Sequence, residues 1–120
     1  MHNFKELKIW SESIELVEKI YQLTESFPTS EQFGLTNQIR RCSVSVPSNI
    51  AEGSGGTDKE FCRYLTISLS SAFELETQLI IAKRLKYIDD PKHKEISEFV
   101  VTMQKMIFGF KNKLTKDLNI

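Results

Sequence analysis

Apolar residues return every three or four positions along nearly the whole of this chain. Leu7, Trp10, Ile14, Val17 and Tyr21 mark one such stripe, read as the buried one; Ile9, Leu16, Ile20, Leu23 and Phe27 mark a second beside it. A helix turns once in 3.6 residues, so this spacing gathers each set on one helical face, whereas a half-buried strand needs alternation of period two. Such alternation is absent over any useful length. The expected class is all-α.

Capping residues and prolines divide the chain into four helices. Asn3 with Glu6 has the form of a capping box and predicts a helix starting near Phe4. Pro28, Thr29 and Ser30 end it after about 24 residues, roughly 36 Å. A second helix is expected from Gly34 to Gly53, with Leu35, Ile39, Cys42, Val46 and Ile50 as its stripe. Thr57 and Glu60 make another capping box and open the third, which carries Phe61, Leu65, Ala72, Leu75 and Leu79 and fades at Leu85. Asp90-Pro91 reads as a cap followed by proline at the first helical position, where a missing N–H costs nothing. Ile96, Phe99, Val100, Met103, Ile107, Phe110 and Leu114 follow. Four helices with short connections favour an antiparallel up-and-down four-helix bundle, one domain over residues 1–120.

Composition narrows the function. Sixteen Lys and Arg balance sixteen Asp and Glu, spread along the chain, which argues against a tail that binds polyanions. Cys42 and Cys62 are too few for a metal site or a disulfide framework and predict reduced thiols. The opening MHNFKELKIW has no apolar h-region, and no apolar run is long enough to span a membrane. A soluble cytoplasmic protein with no membrane partner and no cofactor is expected.

At 100° per residue, Gln38, Arg41, Ser45, Asn49 and Glu52 share a polar face of helix two. Pro47 falls on the far side, near Val44 and Ala51, and is expected to kink the helix rather than break it, because Val46 would be a poor cap. A nucleophilic serine needs a base. The histidines are His2, at the terminus, and His93, at the start of helix four, so the polar face reads as a structural seam. On it Arg41 is in reach of Glu74 or Glu76, while Arg40 points nearer to solvent. Gly53-Ser54-Gly55-Gly56 lacks the Gly-Lys-Ser/Thr ending of a P-loop and a preceding strand, and reads as the turn that ends helix two.

Helices one and three carry more apolar surface than one bundle uses. Beside its main stripe helix three bears Cys62, Leu69, Phe73 and Ile80, with Ile67 and Ile81 on another side. A bundle helix needs one apolar face, and a large exposed surplus marks an interface. A homo-oligomer is expected, with Leu16, Ile20, Leu69, Phe73 and Ile80 between copies.

FKELKIW at Phe4–Trp10, FGLTNQIRRCSVSVPSNIAEGSG at Phe33–Gly55, KEFCRYL at Lys59–Leu65 and ELETQLIIAKRLKYI at Glu74–Ile88 together resemble the bacterial four helix bundle protein family, also called the ribosomal S23-like or 23S rRNA intervening-sequence protein family. The resemblance covers nearly the whole chain. It implies an antiparallel four-helix bundle assembled as a ring-like homopentamer. Some members are encoded within intervening sequences of 23S rRNA genes, and a related branch looks like a basic pentameric partner of reverse transcriptase and nucleic acid. No catalytic residues come with it. The primary expectation is a non-enzymatic homo-oligomeric scaffold. The alternative is an accessory protein that binds RNA or DNA through Arg40, Arg41, Arg63, Lys83 and Arg84. Members often carry basic residues just after the glycine turn, where this chain has Gly56-Thr57-Asp58.

Overall fold

The computed structural model describes residues 1–117 and contains four helices: α1 (Lys8–Thr24), α2 (Leu35–Ser54), α3 (Asp58–Arg84) and α4 (Asp90–Asp117). No strand occurs among the described residues. Contacts across each seam run in opposite chain directions. Arg40 near the start of α2 reaches Thr24 at the end of α1, while the His2 amide ahead of α1 bonds the Ser54 carbonyl at the end of α2. Ser45 meets Ser71 and Glu52 meets Tyr64 across α2 and α3; Glu76 meets Gln104 and Cys62 meets Thr115 across α3 and α4. Each helix touches its two neighbours and not the one diagonally opposite. The result is an antiparallel up-and-down four-helix bundle, a rod of 47 × 22 × 21 Å.

Its core is the apolar periodicity folded inward. Ile39, Val46 and Ile50 of α2, Phe61, Leu65, Leu75 and Leu79 of α3, and Val100 and Ile107 of α4 have no exposed surface. Each such side chain contributes about 1.5–3 kcal/mol relative to staying in water.

Helix one departs from its expected course. Asn3 accepts the Lys5 amide at 3.2 Å and caps a short 3-10 turn, Phe4–Glu6, so the α-helix begins only at Lys8. Its buried face is Ile9, Ser13, Leu16, Ile20 and Thr24; Trp10, Ile14 and Val17 are half-buried and Tyr21 is exposed. The two stripes therefore exchange roles. Ser13 and Thr24 hide their hydroxyls by donating to the Trp10 and Ile20 carbonyls at 2.7 and 2.8 Å, which lets polar residues complete a core stripe. Leu16 and Ile20 are 0% exposed. Their assignment to an oligomer interface is corrected: they lie in the chain's own core.

Helix two runs unbroken through Pro47, which is buried rather than set on an outer face. Thr36, Ser43 and Ser54 are buried on the same side, a strip of small side chains flanking the line that carries Arg40 to α1. The glycines after it do not make a left-handed turn: no glycine has positive φ, and Gly55 sits at φ −80°. Gly53 is needed for closeness, since a Cβ there would lie 2.5 Å from Tyr64 Cβ. The Thr57–Glu60 capping box is complete.

Helix three ends in a Schellman motif, with the Tyr87 amide on the Ala82 carbonyl, the Lys86 amide on Lys83, and Lys86 itself at φ 65°. Tyr87 then packs on Phe27 and donates its hydroxyl to Glu31 Oε2 at 2.9 Å. Glu31 Oε1 in turn accepts the Leu35 amide and caps α2. Helix four is capped by Asp89, whose Oδ1 takes the Lys92 amide at 2.9 Å, one residue earlier than Asp90. Pro91 is tolerated there because the second helical amide also lacks an intrahelical partner.

Candidate functional site

Where α2 faces α3, the polar seam read from the sequence is assembled, and most of it is closed. Ser45 and Ser71 share a hydrogen bond of 2.8 Å between hydroxyls. Asn49 Nδ2 donates to the Ser45 carbonyl at 2.8 Å and its hydroxyl at 3.0 Å. Ser68 donates to the Val46 carbonyl at 2.9 Å, and Cys42 Sγ to the Ser71 carbonyl at 3.1 Å. These serines are small enough to bring the two backbones together, and each closes its own hydrogen bond doing so. Glu52 receives a long bond from Tyr64 at 3.5 Å.

Outside this closed part lies a polar notch of about 340 Å³, whose walls include Gln38, Arg41, Glu74 and Gln78. Gln78 is buried; its Nε2 donates to Glu74 Oε1 at 3.4 Å and its Oε1 has no partner. Burial first, then the Glu74 carboxylate, pushes the Cys42 thiol from its usual 9.0 up to about 12. A thiol held protonated is neither nucleophile nor metal ligand. No hydrogen bond joins either serine to a base among the described residues. His2 is held in place: Nε2 lies 3.1 Å from Asp58 Oδ1 and its ring packs on Phe61 and Phe110. His93 sits at the start of α4 with Nε2 buried and unpartnered, its pKa lowered by burial and then by Lys83. At the helix-three N-terminus the negative charge comes from the chain itself: Asp58 and Glu60 stand in the first turn, and Glu60 Oε1 accepts the Thr57 hydroxyl and amide at 2.9 and 3.3 Å.

The five candidate cations do not form one patch. Arg40, expected nearer to solvent, is the engaged one: Nε donates to Thr24 Oγ1 at 2.8 Å and the guanidinium lies 4.6 Å from the Tyr21 ring centre. Arg41 is exposed and makes no ion pair among the described residues, although Glu74 lines the same notch. Glu76 faces the other way and accepts Gln104 Nε2 at 2.8 Å. Lys83 lies 3.8 Å from Asp90, Arg63 stacks on Tyr64 at the far end of α3, and Arg84 is exposed at its near end.

Among the described residues, apolar side chains lie open on two edges of the bundle, besides Phe33, Ile67, Ile81 and Leu85 elsewhere. On the α3–α4 side Phe73 and Phe108 are 51% and 52% exposed, with Ile80 exposed and Leu69 half-buried beside them. On the α1–α2 side, Tyr21 and Val44 are exposed and Trp10, Ile14 and Val17 half-buried. These are opposite sides of the rod, because α1–α2 and α3–α4 are opposite edges of the square of helices.

The sequence reading missed Glu31, Tyr87, Gln78 and Gln104. For the two glutamines the signal was present: both interrupt apolar helical faces, Gln78 beside Leu75 and Leu79, Gln104 beside Val100 and Met103. Glu31 and Tyr87 are joined across 56 positions, and no local pattern marks them.

No curated protein matches this sequence. Among solved structures it is similar to a protein of unknown function from the S23 ribosomal protein family of Bacteroides thetaiotaomicron, with TM-score 0.80 and 24% identity over 87% of this chain and 95% of that one. That likeness confirms the fold. The family model described as 23S rRNA-intervening sequence protein matches residues 5–109. With a match over most of its length, the chain belongs to the 23S rRNA-intervening sequence protein family.

Proposed function

We propose that this protein is a non-enzymatic cytoplasmic scaffold that works as a closed ring of identical copies. Its α1–α2 face would pack on the α3–α4 face of the next copy. The observation that carries this reading is the pair of open apolar faces on opposite sides of one rod. Pairing like with like would cover one face and leave the other wet, whereas pairing unlike faces covers both and generates a ring when the rotation closes. Leu69, Phe73 and Ile80 keep their interface role, joined by Phe108; on helix one Trp10, Ile14, Val17 and Tyr21 take the place of Leu16 and Ile20. Five copies is the number the family resemblance implies. Two free buried thiols fit a reducing compartment.

Phe73→Glu combined with Phe108→Glu tests this. Both side chains are half exposed, so the helices tolerate the change while the face is lost. The wild type is expected to elute as an oligomer and the double variant at the 13.9 kDa of one chain. A wild type at that mass throughout the micromolar range defeats the proposal.

One observation favours a second reading, nucleic-acid binding. Arg41 and Arg63 are both exposed along the α2–α3 edge, which such a ring leaves free. Repeated around a ring, a weak patch gains avidity, and its affinity falls steeply with salt. Filter binding of structured RNA at two salt concentrations is the check; no retention at the lower one removes this reading.

A further inference from the structure

The seam between α1 and α4 is built unlike the rest. Two adjoining clefts of about 420 and 270 Å³ run along it and share Glu95 and Phe99 in their walls. Leu23, Ile96, Phe99 and Met106 give them an apolar floor. On α1 they extend from Glu12 to Leu23, about 17 Å of helix, and continue past its end to Ser26, which matches roughly three turns of a second helix laid alongside. Glu12 of α1, Glu25 just past its end, and Glu95 and Glu98 of α4 line this groove, while Glu15 and Glu18 line a separate cleft on α1. Among the described residues, the cations lining these clefts are Lys19 and Lys92. Lys19 is already engaged, 5.5 Å from the Phe99 ring centre and 4.0 Å from Glu15. The chain as a whole has no net charge, so this edge concentrates negative charge that the rest of the molecule balances.

We infer that the α1–α4 groove docks a basic amphipathic helix of a protein partner. An apolar stripe on that helix would lie on Leu23, Phe99 and Met106, and lysines or arginines flanking it would meet the glutamates of both rims. This is the helix-in-groove mode of recognition, with the rim charges steering approach and fixing direction. Nucleic acid is a poor occupant for the same reason, since its phosphates would face the four carboxylates that line the groove. The groove is complete within one chain and does not rest on the ring. In that ring the α1–α4 edge stays uncovered, so every copy would offer it.

The test uses the full chain and a fluorescein-labelled helical peptide of leucine and lysine in an amphipathic order. Its controls are the same residues scrambled to destroy the stripe and a leucine–glutamate version. Fluorescence anisotropy is expected to show saturable binding of the first peptide, weakening with salt, and none of the leucine–glutamate peptide. Glu95→Lys with Glu98→Lys, and separately Phe99→Ala, should each weaken binding about tenfold, while Glu74→Lys on the α2–α3 edge leaves it unchanged. Circular dichroism confirms that the variants are folded. Equal binding of the scrambled peptide, equal loss with Glu74→Lys, or no binding at low salt overturns the inference. Light scattering on the same samples separates the two proposals: a monomer that binds keeps the groove and loses the ring, and an oligomer that does not bind keeps the ring and loses the groove.

Discussion

The α2–α3 and α1–α4 seams lie across from each other in the same bundle and are made by opposite means. Along α2–α3 the contacting residues are small: Gly53 admits Tyr64 with no room for a Cβ, and Ser45, Ser68 and Ser71 bond across the junction. The backbones close on each other there, and only the polar notch beside Arg41 and Glu74 stays open. Along α1–α4 the facing residues are long, Glu, Lys, Gln, Phe and Met, and no hydrogen bond joins the two helices among the described residues. The helices are held apart and a groove remains. Helical periodicity is the same on both sides; side-chain size at the seam decides whether it seals or stays open for something else.

Core truncation gives the widest contrast. Phe61→Ala, at the sealed end of α3, should cost about 3–5 kcal/mol in denaturant unfolding, whereas Phe99→Ala on the open side should cost about 1 kcal/mol. Equal costs would mean that α1–α4 is packed as tightly as its counterpart. Adding volume reverses the direction of the test. Gly53→Ala should destabilise by about 1–3 kcal/mol through overpacking against Tyr64, and Thr102→Leu on the groove should stay within about 0.5 kcal/mol of wild type.

Pairwise coupling is smaller again. A double-mutant cycle on Ser45 and Ser71 should return about 1 kcal/mol, and one on Lys19 and Phe99 about 0.5 kcal/mol. The finest contrast is in pH. Cys42, on the sealed seam, has its thiol pKa raised in the fold from 9.0 to about 12. Its contribution to stability is therefore fully present below about pH 9 and is lost as pH rises towards 12, because the unfolded chain sheds that proton first. Unfolding titrations through that range should show the wild type losing stability faster than Cys42→Ala; parallel curves would mean the thiol is not desolvated.

The helices were legible because their signals are local. Thr57 and Glu60 lie three residues apart and cap α3 as written, and the stripes of α2 and α3 point inward as spaced. Helix one was misjudged because apolar counting gives no credit to Ser13 and Thr24, which become core residues by turning their hydroxyls onto the preceding helical turn. Arg40 and Arg41 differ by 100° about one helix axis, and only the position of Tyr21 and Thr24 on a neighbouring helix decides which of them is engaged. Gly53 looks like a turn residue in sequence and is a contact residue in space. The acidic groove was invisible for the same reason: its glutamates are scattered over two distant stretches of chain and meet only when α4 returns beside α1.

Pairing of unlike faces is tested most directly by mixing two broken copies. One carries Phe73→Glu and Phe108→Glu and keeps its α1–α2 face; the other carries Tyr21→Glu and Val44→Glu and keeps its α3–α4 face. Light scattering should find each alone at 13.9 kDa and the mixture forming a two-chain species that grows no further. Self-association of either variant alone, or a mixture that stays at the mass of one chain, would contradict a ring built from two different faces.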